Sequence, residues 1–282
     1  MQKRLFVFCV TVVLAGFYSS FLTADIITGD SDNPYSKVLK FLCILLCFSL
    51  TLAIGNHGHD GRDTNLLRLA LLLTVVADFV IGILGLFMIG IGVFVLVQIV
   101  YVIRHSRGFT WTRNEIISGS IIYGTVALIF FFLREMLLAA GLFWPALLYT
   151  VILSGSLWMA IGTVWRKFYP RTIDWFIVIG MSAFFLCDIN AGLFNSLKKD
   201  GMELFYGLFS IKGEVIGSGH SPVDVVIPYS LRSILGMLVW FFYLPAQFLL
   251  SLSGFQVNFL RSVNPLIPDL AEPKGDRTKR NS

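Results

Sequence analysis

Two aspartates lie inside long apolar stretches of the sequence, where ionisable side chains are rare. Asp78 interrupts the run from Leu66 to Ile103, and Asp188 interrupts the run GMSAFFLCDINAG. Placing a carboxylate at the centre of a membrane helix costs roughly 2.5 to 3.5 kcal/mol, so such a residue usually has a function. Two carboxyls in one apolar cavity cannot both ionise easily, so one stays protonated beside a charged neighbour. This pairing suits general acid and general base catalysis.

The elements that position these aspartates are those of a polytopic membrane protein. Of the 282 residues, 56% are hydrophobic and 14% are charged, whereas about 25% of the residues are charged in a typical soluble domain. The formal net charge is +5. Lys and Arg concentrate in short loops beside apolar runs and form no basic face with interleaved aromatic residues, so we expect no nucleic-acid partner.

The apolar runs predict an all-α fold with eight transmembrane helices in one bundle. The run from Leu66 to Ile103 is too long for one crossing of about 20 residues, and Gly82 and Gly85 mark a hinge between two antiparallel helices. The first run also fits a signal peptide cleaved near Ala24, but it exceeds the usual core of about 7 to 15 residues, which favours an uncleaved helix. The predicted spans are residues 5–23, 38–54, 66–82, 85–103, 116–133, 136–163, 173–194 and 229–253.

Polar residues predict the connections between these spans. Asp25, Asp30 and Asp32 are interpreted as an acidic loop after the first helix. Pro145 is expected to bend the sixth helix, because proline removes one hydrogen bond of the helical ladder. The remaining predictions are a loop at 56–65 with solvated His57, His59 and Asp60, a long extracytoplasmic loop at 195–228, and a polar cytoplasmic tail at 254–282.

The distribution of positive charge predicts the orientation in the membrane. Eight spans place both termini on one side, where fifteen Lys and Arg residues fall, against seven on the other side. Positively charged loops resist translocation, so both termini are predicted to be cytoplasmic. The expected location is a bacterial inner (cytoplasmic) membrane.

Asp78 and Asp188 are predicted to lie at similar depth. Their helices run in the same direction, with Asp78 about eleven and Asp188 about fifteen residues from the helix starts, so their depths differ by about 6 Å. The two carboxyls can therefore share a site. Alternatively, each forms a packing hydrogen bond with a neighbouring helix or pairs with a cation such as Lys40.

Several other polar side chains lie within the predicted spans. Each either lines a site or ties neighbouring helices together by hydrogen bonds. The sequence contains no Ser-His-Asp arrangement, no metal-ligand cluster and no phosphate-binding glycine signature. The candidates are Gln98, Tyr101, Tyr149, Ser154, Asn190, Tyr243 and Gln247.

These residues resemble the signature of the YhhN-type lysoplasmalogenases. In the run ADFVIGILGLFMIGIGVFVLVQIVYVI, the matching positions are Asp78, the glycines Gly82 and Gly90, and Tyr101. The layout of eight spans covers nearly the whole chain. Further matches are Lys40, Tyr149 with Met159-Ala160, the helix GMSAFFLCD that ends at Asp188, and YLPAQ from Tyr243 to Gln247.

The resemblance implies hydrolysis of the vinyl ether bond of lysoplasmalogens, to a fatty aldehyde and glycerophosphoethanolamine or glycerophosphocholine. Asp78 and Asp188 would be the catalytic acid and base, without a metal or cofactor. The partners implied are a lysophospholipid substrate and membrane lipids. The alternatives are a proton- or cation-coupled transporter that uses the same carboxylates, and a structural membrane protein. The substrate-binding residues would be Lys40, Gln98, Tyr101, Tyr149, Asn190, Tyr243 and Gln247.

Overall fold

A computed structural model describes residues 2–31, 33–139, 141, 143–196 and 230–266. In these ranges the chain is helical and has no β-strand, and eight helices are long and apolar enough to cross a membrane. The predicted all-α fold is confirmed, and the chain is an integral membrane protein. The helices are α1 Gln2–Thr28, α2 Pro34–Ala53, α3 Gly61–Gly82, α4 Phe87–His105, α5 Arg113–Ala139, α6 Phe143–Arg166, α7 Arg171–Ser196, α8 Ser230–Leu252 and the short α9 Val257–Val263.

Six of the helices form a closed ring in the order α2, α3, α4, α6, α7 and α8, and α8 packs back onto α2. Two helices lie outside this ring: α1 packs against α2 and α8, and α5 packs against α6. Side chains that point inward from the six ring helices therefore meet in one interior, where Phe184 and Tyr101 are fully buried.

The long apolar run folds as the predicted hairpin. α3 ends at Gly82 and α4 begins at Phe87, and Gly85 between them has φ of +68°, which a residue with a side chain rarely adopts. Gly90 then lets α4 approach α3 closely, because a Cβ there would lie 2.1 Å from Cγ1 of Ile81. The glycines thus place α4 directly beside the helix that carries Asp78.

α1 and α5 extend beyond their predicted ends. α1 continues through Asp25, which is fully buried instead of lying in an acidic loop; Asp32 lies outside the described residues. α5 continues to Ala139, so the prediction that the next span begins at residue 136 is wrong. Pro145 falls in the first turn of α6, where helix N–H groups have no intrahelical acceptor. It therefore removes no hydrogen bond from the helix, contrary to the expectation that it bends the helix.

The polar segment 56–65 and the start of the predicted tail are packed together. α3 begins at Gly61, inside the predicted loop, and the Gln256 N–H donates to the carbonyl oxygen of His57 at 2.7 Å. His57 stacks on Phe259 of α9 at 4.4 Å. His57, His59 and Asp60 are thus only partly exposed, and the interpretation of residues 254–263 as a polar tail is wrong. The predicted loop 195–228 from residue 197 onward, and the tail from residue 267 onward, lie outside the described residues.

Candidate active site

Asp78 and Asp188 face the same interior of the helix ring. Asp78 lies four residues before the end of α3 and Asp188 eight residues before the end of α7, and these two ends point the same way. Each carboxylate accepts a hydrogen bond at Oδ2 from a tyrosine on another helix: Tyr243 donates to Asp78 at 2.8 Å, and Tyr149 donates to Asp188 at 2.6 Å. The two carboxyls are close enough for an electrostatic interaction between them. The structure thus brings both predicted catalytic residues, each with a phenol, to one site.

Aromatic packing fixes the tyrosine that joins the two halves of this site. The Tyr243 hydroxyl is close enough to interact electrostatically with both carboxyls. Its ring packs edge-on against Trp240 at 5.2 Å, Phe184 at 5.7 Å and Phe94 at 6.3 Å. Edge-to-face contacts at these distances stabilise one ring orientation. Tyr243 therefore presents its hydroxyl to Asp78 from a rigid support.

Three more predicted site residues carry buried polar atoms without a hydrogen-bond partner in the described part of the chain. Gln98 accepts a hydrogen bond from Ser156 at 2.6 Å and lies beside the Tyr149 hydroxyl, while its Nε2 has no partner. The Tyr101 hydroxyl and both amide atoms of Gln247 have none either. All three side chains are fully buried. Because buried polar groups are nearly always hydrogen-bonded in proteins, these atoms can bind a polar substrate group or water.

Lys40 and Asn190 each have polar partners within the protein. Lys40 forms an ion pair with Asp25 at 2.7 Å and donates to the carbonyl oxygen of Ser31 at 2.6 Å. Its ammonium also lies over the Trp240 ring, 5.1 Å from the centroid. Asn190 donates to the Leu186 carbonyl oxygen of its own helix. The counter-ion of Lys40 is thus Asp25, and a substrate phosphate would have to displace it.

Sequence reasoning missed Asp25, Trp240 and Ser156. Asp25 follows buried Phe21 by four residues and so lies on the same face of α1. An acid at that position, opposite a lysine within the second apolar run, was the available signal for the ion pair. Trp240 and Ser156 left no such signal, because their contacts depend on how the helices are rotated against each other.

Arginine and acid pairs connect the helices at the opposite end of the bundle. Arg104 binds Asp63 with two hydrogen bonds at 3.0 and 3.1 Å, and both side chains are fully buried. Tyr169 also donates to Asp63, at 2.5 Å. Nearby His59 packs edge-on against Tyr169, and burial lowers the pKa of its imidazole despite the neighbouring Asp63 carboxylate. At this end Arg166 likewise pairs with Glu115, at 2.5 Å.

An apolar cavity adjoins one of the two carboxyls. It lies between α5, α6 and α7, and Tyr149, Thr150 and Asp188 are the only lining residues with polar side-chain atoms among the fourteen. The site therefore combines two carboxyls, two phenols, several buried amide atoms and an apolar space. This combination suits proton transfer to a molecule with a long hydrocarbon part.

Comparison with known families gives one match. The model of the YhhN family matches residues 34–196, more than half of the chain, and this range contains both aspartates and Tyr149. Neither the curated proteins nor the solved structures give a match.

Proposed function

This chain belongs to the YhhN family, and we propose that it is a lysoplasmalogenase-type hydrolase that cleaves the vinyl ether bond of lysoplasmalogens within the membrane. Family membership and the sequence resemblance described above support the reaction class. The observation that carries the proposal is the pair of interacting carboxyls, Asp78 and Asp188, each held by a tyrosine in one interior.

The proposed reaction needs only proton transfer and one water molecule. A protonated carboxyl donates its proton to the vinyl carbon remote from the ether oxygen, which leaves an oxocarbenium ion. The second, charged carboxylate stabilises this cation and accepts a proton from the attacking water. The resulting hemiacetal collapses to a fatty aldehyde and the free hydroxyl of the glycerophospholipid. One water is consumed, and the proton released in the second step replaces the one donated in the first.

The geometry of the tyrosines supports these roles. Tyr149 and Tyr243 each occupy Oδ2 of their aspartate, so Oδ1 of each carboxyl is left to hold or release a proton. Two neighbouring carboxyls repel each other when both are charged, so a state in which only one of them is charged is favoured. The free amide atoms of Gln98 and Gln247 provide donors and acceptors for the glycerol hydroxyl and for the attacking water.

Measurement of aldehyde release tests the proposal. Purified protein in detergent is incubated with a lysoplasmalogen and, separately, with its saturated ether analogue, and aldehyde is expected only from the vinyl ether. Asp78→Asn and Asp188→Asn should each lower the rate by at least about a hundredfold, because an amide cannot donate or accept the proton. Glu135→Gln is the matched control, since Glu135 is exposed and lies outside the site.

The thiol reactivity of the variants shows whether they are folded, because Cys43, Cys47 and Cys187 are buried in the native structure. Aldehyde release that survives both aspartate changes in folded protein would contradict the mechanism. Gradient-driven uptake into vesicles that depends on both aspartates, without any aldehyde release, would instead support the transporter.

A further inference from the structure

The cavity beside Asp188 lies at the edge of the bundle. Its walls come from the second half of α5, the first half of α6 and the second half of α7. α5 and α7 both pack along α6, and the cavity lies between them. The cavity therefore adjoins the active site on the side of Asp188, and not on the opposite face of the helix ring.

α5 lies on the outer side of the cavity and separates the cavity only weakly from the surrounding lipid. α5 is the least buried of the eight candidate spans, and its Leu128, Phe131 and Phe132 are exposed. An apolar space at this depth is surrounded by hydrocarbon and not by water. A ligand that reaches the cavity from this side must come from the bilayer.

The chemistry of the walls restricts that ligand further. Phe130, Leu133, Leu153 and other apolar residues surround the cavity, and among the described lining residues Asp188, which Tyr149 binds, carries the only carboxyl. A charged headgroup would lose its hydration there without gaining partners. A hydrocarbon chain loses nothing, and a chain in this cavity brings the atoms at its attached end close to Asp188.

We infer that this cavity binds the hydrocarbon chain of a single-chain lipid that enters sideways from the bilayer past α5. The inference rests on the proposed function, because the chain would be the alkenyl group of the lysoplasmalogen. It explains how an enzyme with its carboxyls inside the membrane selects a long-chain substrate: the chain lies against α5, α6 and α7 while its vinyl ether lies at Asp188.

Gly192 provides the test. It lines the cavity, and a Cβ built on it meets no atom within 4 Å, so a larger side chain can be placed at the cavity wall without displacing a helix. Gly192→Leu should lower kcat/KM for a long-chain lysoplasmalogen by roughly tenfold or more, the effect of several lost apolar contacts. A substrate with a two-carbon vinyl group has no chain to bind, so its kcat/KM should stay unchanged. Gly124→Leu is the control, because Gly124 on α5 has equally open surroundings and lies outside the cavity lining.

The outcomes separate this inference from the proposed function. If Gly192→Leu retains wild-type kcat/KM for the long-chain substrate while Asp188→Asn abolishes turnover, the cavity is not the chain site, but the hydrolase remains. If the wild type releases no aldehyde, the function fails, and a lysolipid with a photoreactive group on its chain tests the cavity alone. The inference would be supported if α5 and α7 peptides are labelled in the wild type and this labelling is lost in Gly192→Leu. Equal labelling by a two-chain phospholipid analogue, or labelling only elsewhere, would overturn it.

Discussion

At the scale of single residues, the two tyrosines make the candidate site more than a pair of intramembrane acids. Tyr149 and Tyr243 come from different helices, yet each donates to Oδ2 of one aspartate at 2.6 and 2.8 Å. A carboxylate that accepts a fixed hydrogen bond keeps one orientation, so its free oxygen points in a defined direction. We therefore expect the tyrosines to affect the rate of the chemical step more than the binding of the substrate.

Removing one hydroxyl at a time tests this expectation. Tyr149→Phe and Tyr243→Phe keep the ring packing and delete a hydrogen bond to a charged group, which contributes roughly 1.5 to 3 kcal/mol. Each change should lower kcat by about ten- to a hundredfold with little change in KM. Steady-state kinetics on the lysoplasmalogen measures both constants. Tyr123→Phe is the control, because Tyr123 donates only to the Val151 carbonyl oxygen, away from both aspartates.

A rise in KM without loss of kcat would show that the tyrosines bind the substrate instead of orienting the carboxylates. An unchanged rate in both variants would remove the tyrosines from the mechanism altogether.

At the scale of helices, the buried pair of Lys40 and Asp25 connects α1 to α2 and supports the active site through α8. Ser36 at the start of α2 also donates to Asp25, at 2.5 Å. The Lys40 ammonium lies over Trp240, and Trp240 packs against Tyr243, the partner of Asp78. One ion pair thus positions a helix outside the ring and the aromatic support of the catalytic pair.

Breaking this pair should destabilise the protein strongly. Asp25→Asn or Lys40→Met leaves one buried charge without its partner, which costs about 3 to 5 kcal/mol. The double variant removes both charges and should recover a large part of that loss. Thermal unfolding in detergent, followed by the exposure of the buried cysteines, measures the differences. The matched control is the pair of Arg134 and Glu135, which are 58% and 64% exposed, so their replacement should change stability by less than about 1 kcal/mol.

If the double variant instead loses the sum of the two single losses in stability, the two charges do not interact. A selective rise in KM in a fully stable Lys40→Met protein would return Lys40 to the predicted role of a phosphate-binding residue.

The same helices show which features the sequence predicts. Each of the eight spans was predicted because an apolar run of that length has few other stable structures in a protein this hydrophobic. The end of α1 and the start of α3 do not follow from the sequence, because a charged residue usually indicates a loop. Asp25 and Asp63 instead lie inside these helices, each buried beside a cation on another helix. The partners of the aspartates depend on helix rotation and on the order of helices in the ring, and neither follows from the periodicity of one span.

At the scale of the whole molecule, the two ends of the bundle differ. One end is held by buried pairs such as Arg104 with Asp63 and Arg166 with Glu115. The other half contains both aspartates, which are only partly buried, and the apolar cavity. This half also contains one buried pair, Lys40 with Asp25, and its cavity leaves room for a lipid. Access from the bilayer is consistent with this arrangement.

The orientation of the bundle is the last prediction. Several of the Lys and Arg residues form ion pairs with acids, but acidic residues contribute little to the retention of positive loops. The distribution of fifteen Lys and Arg residues on one side and seven on the other therefore still predicts the orientation. Both termini should therefore be cytoplasmic. Alkaline phosphatase fused after Ser282 should be inactive, and green fluorescent protein fused there should fluoresce. The same reporters fused after Asn33, between α1 and α2, should give the opposite result. Active phosphatase at Ser282 would mean that the bundle is inverted, and Asp78 and Asp188 would then open toward the cytoplasmic leaflet instead of the outer one.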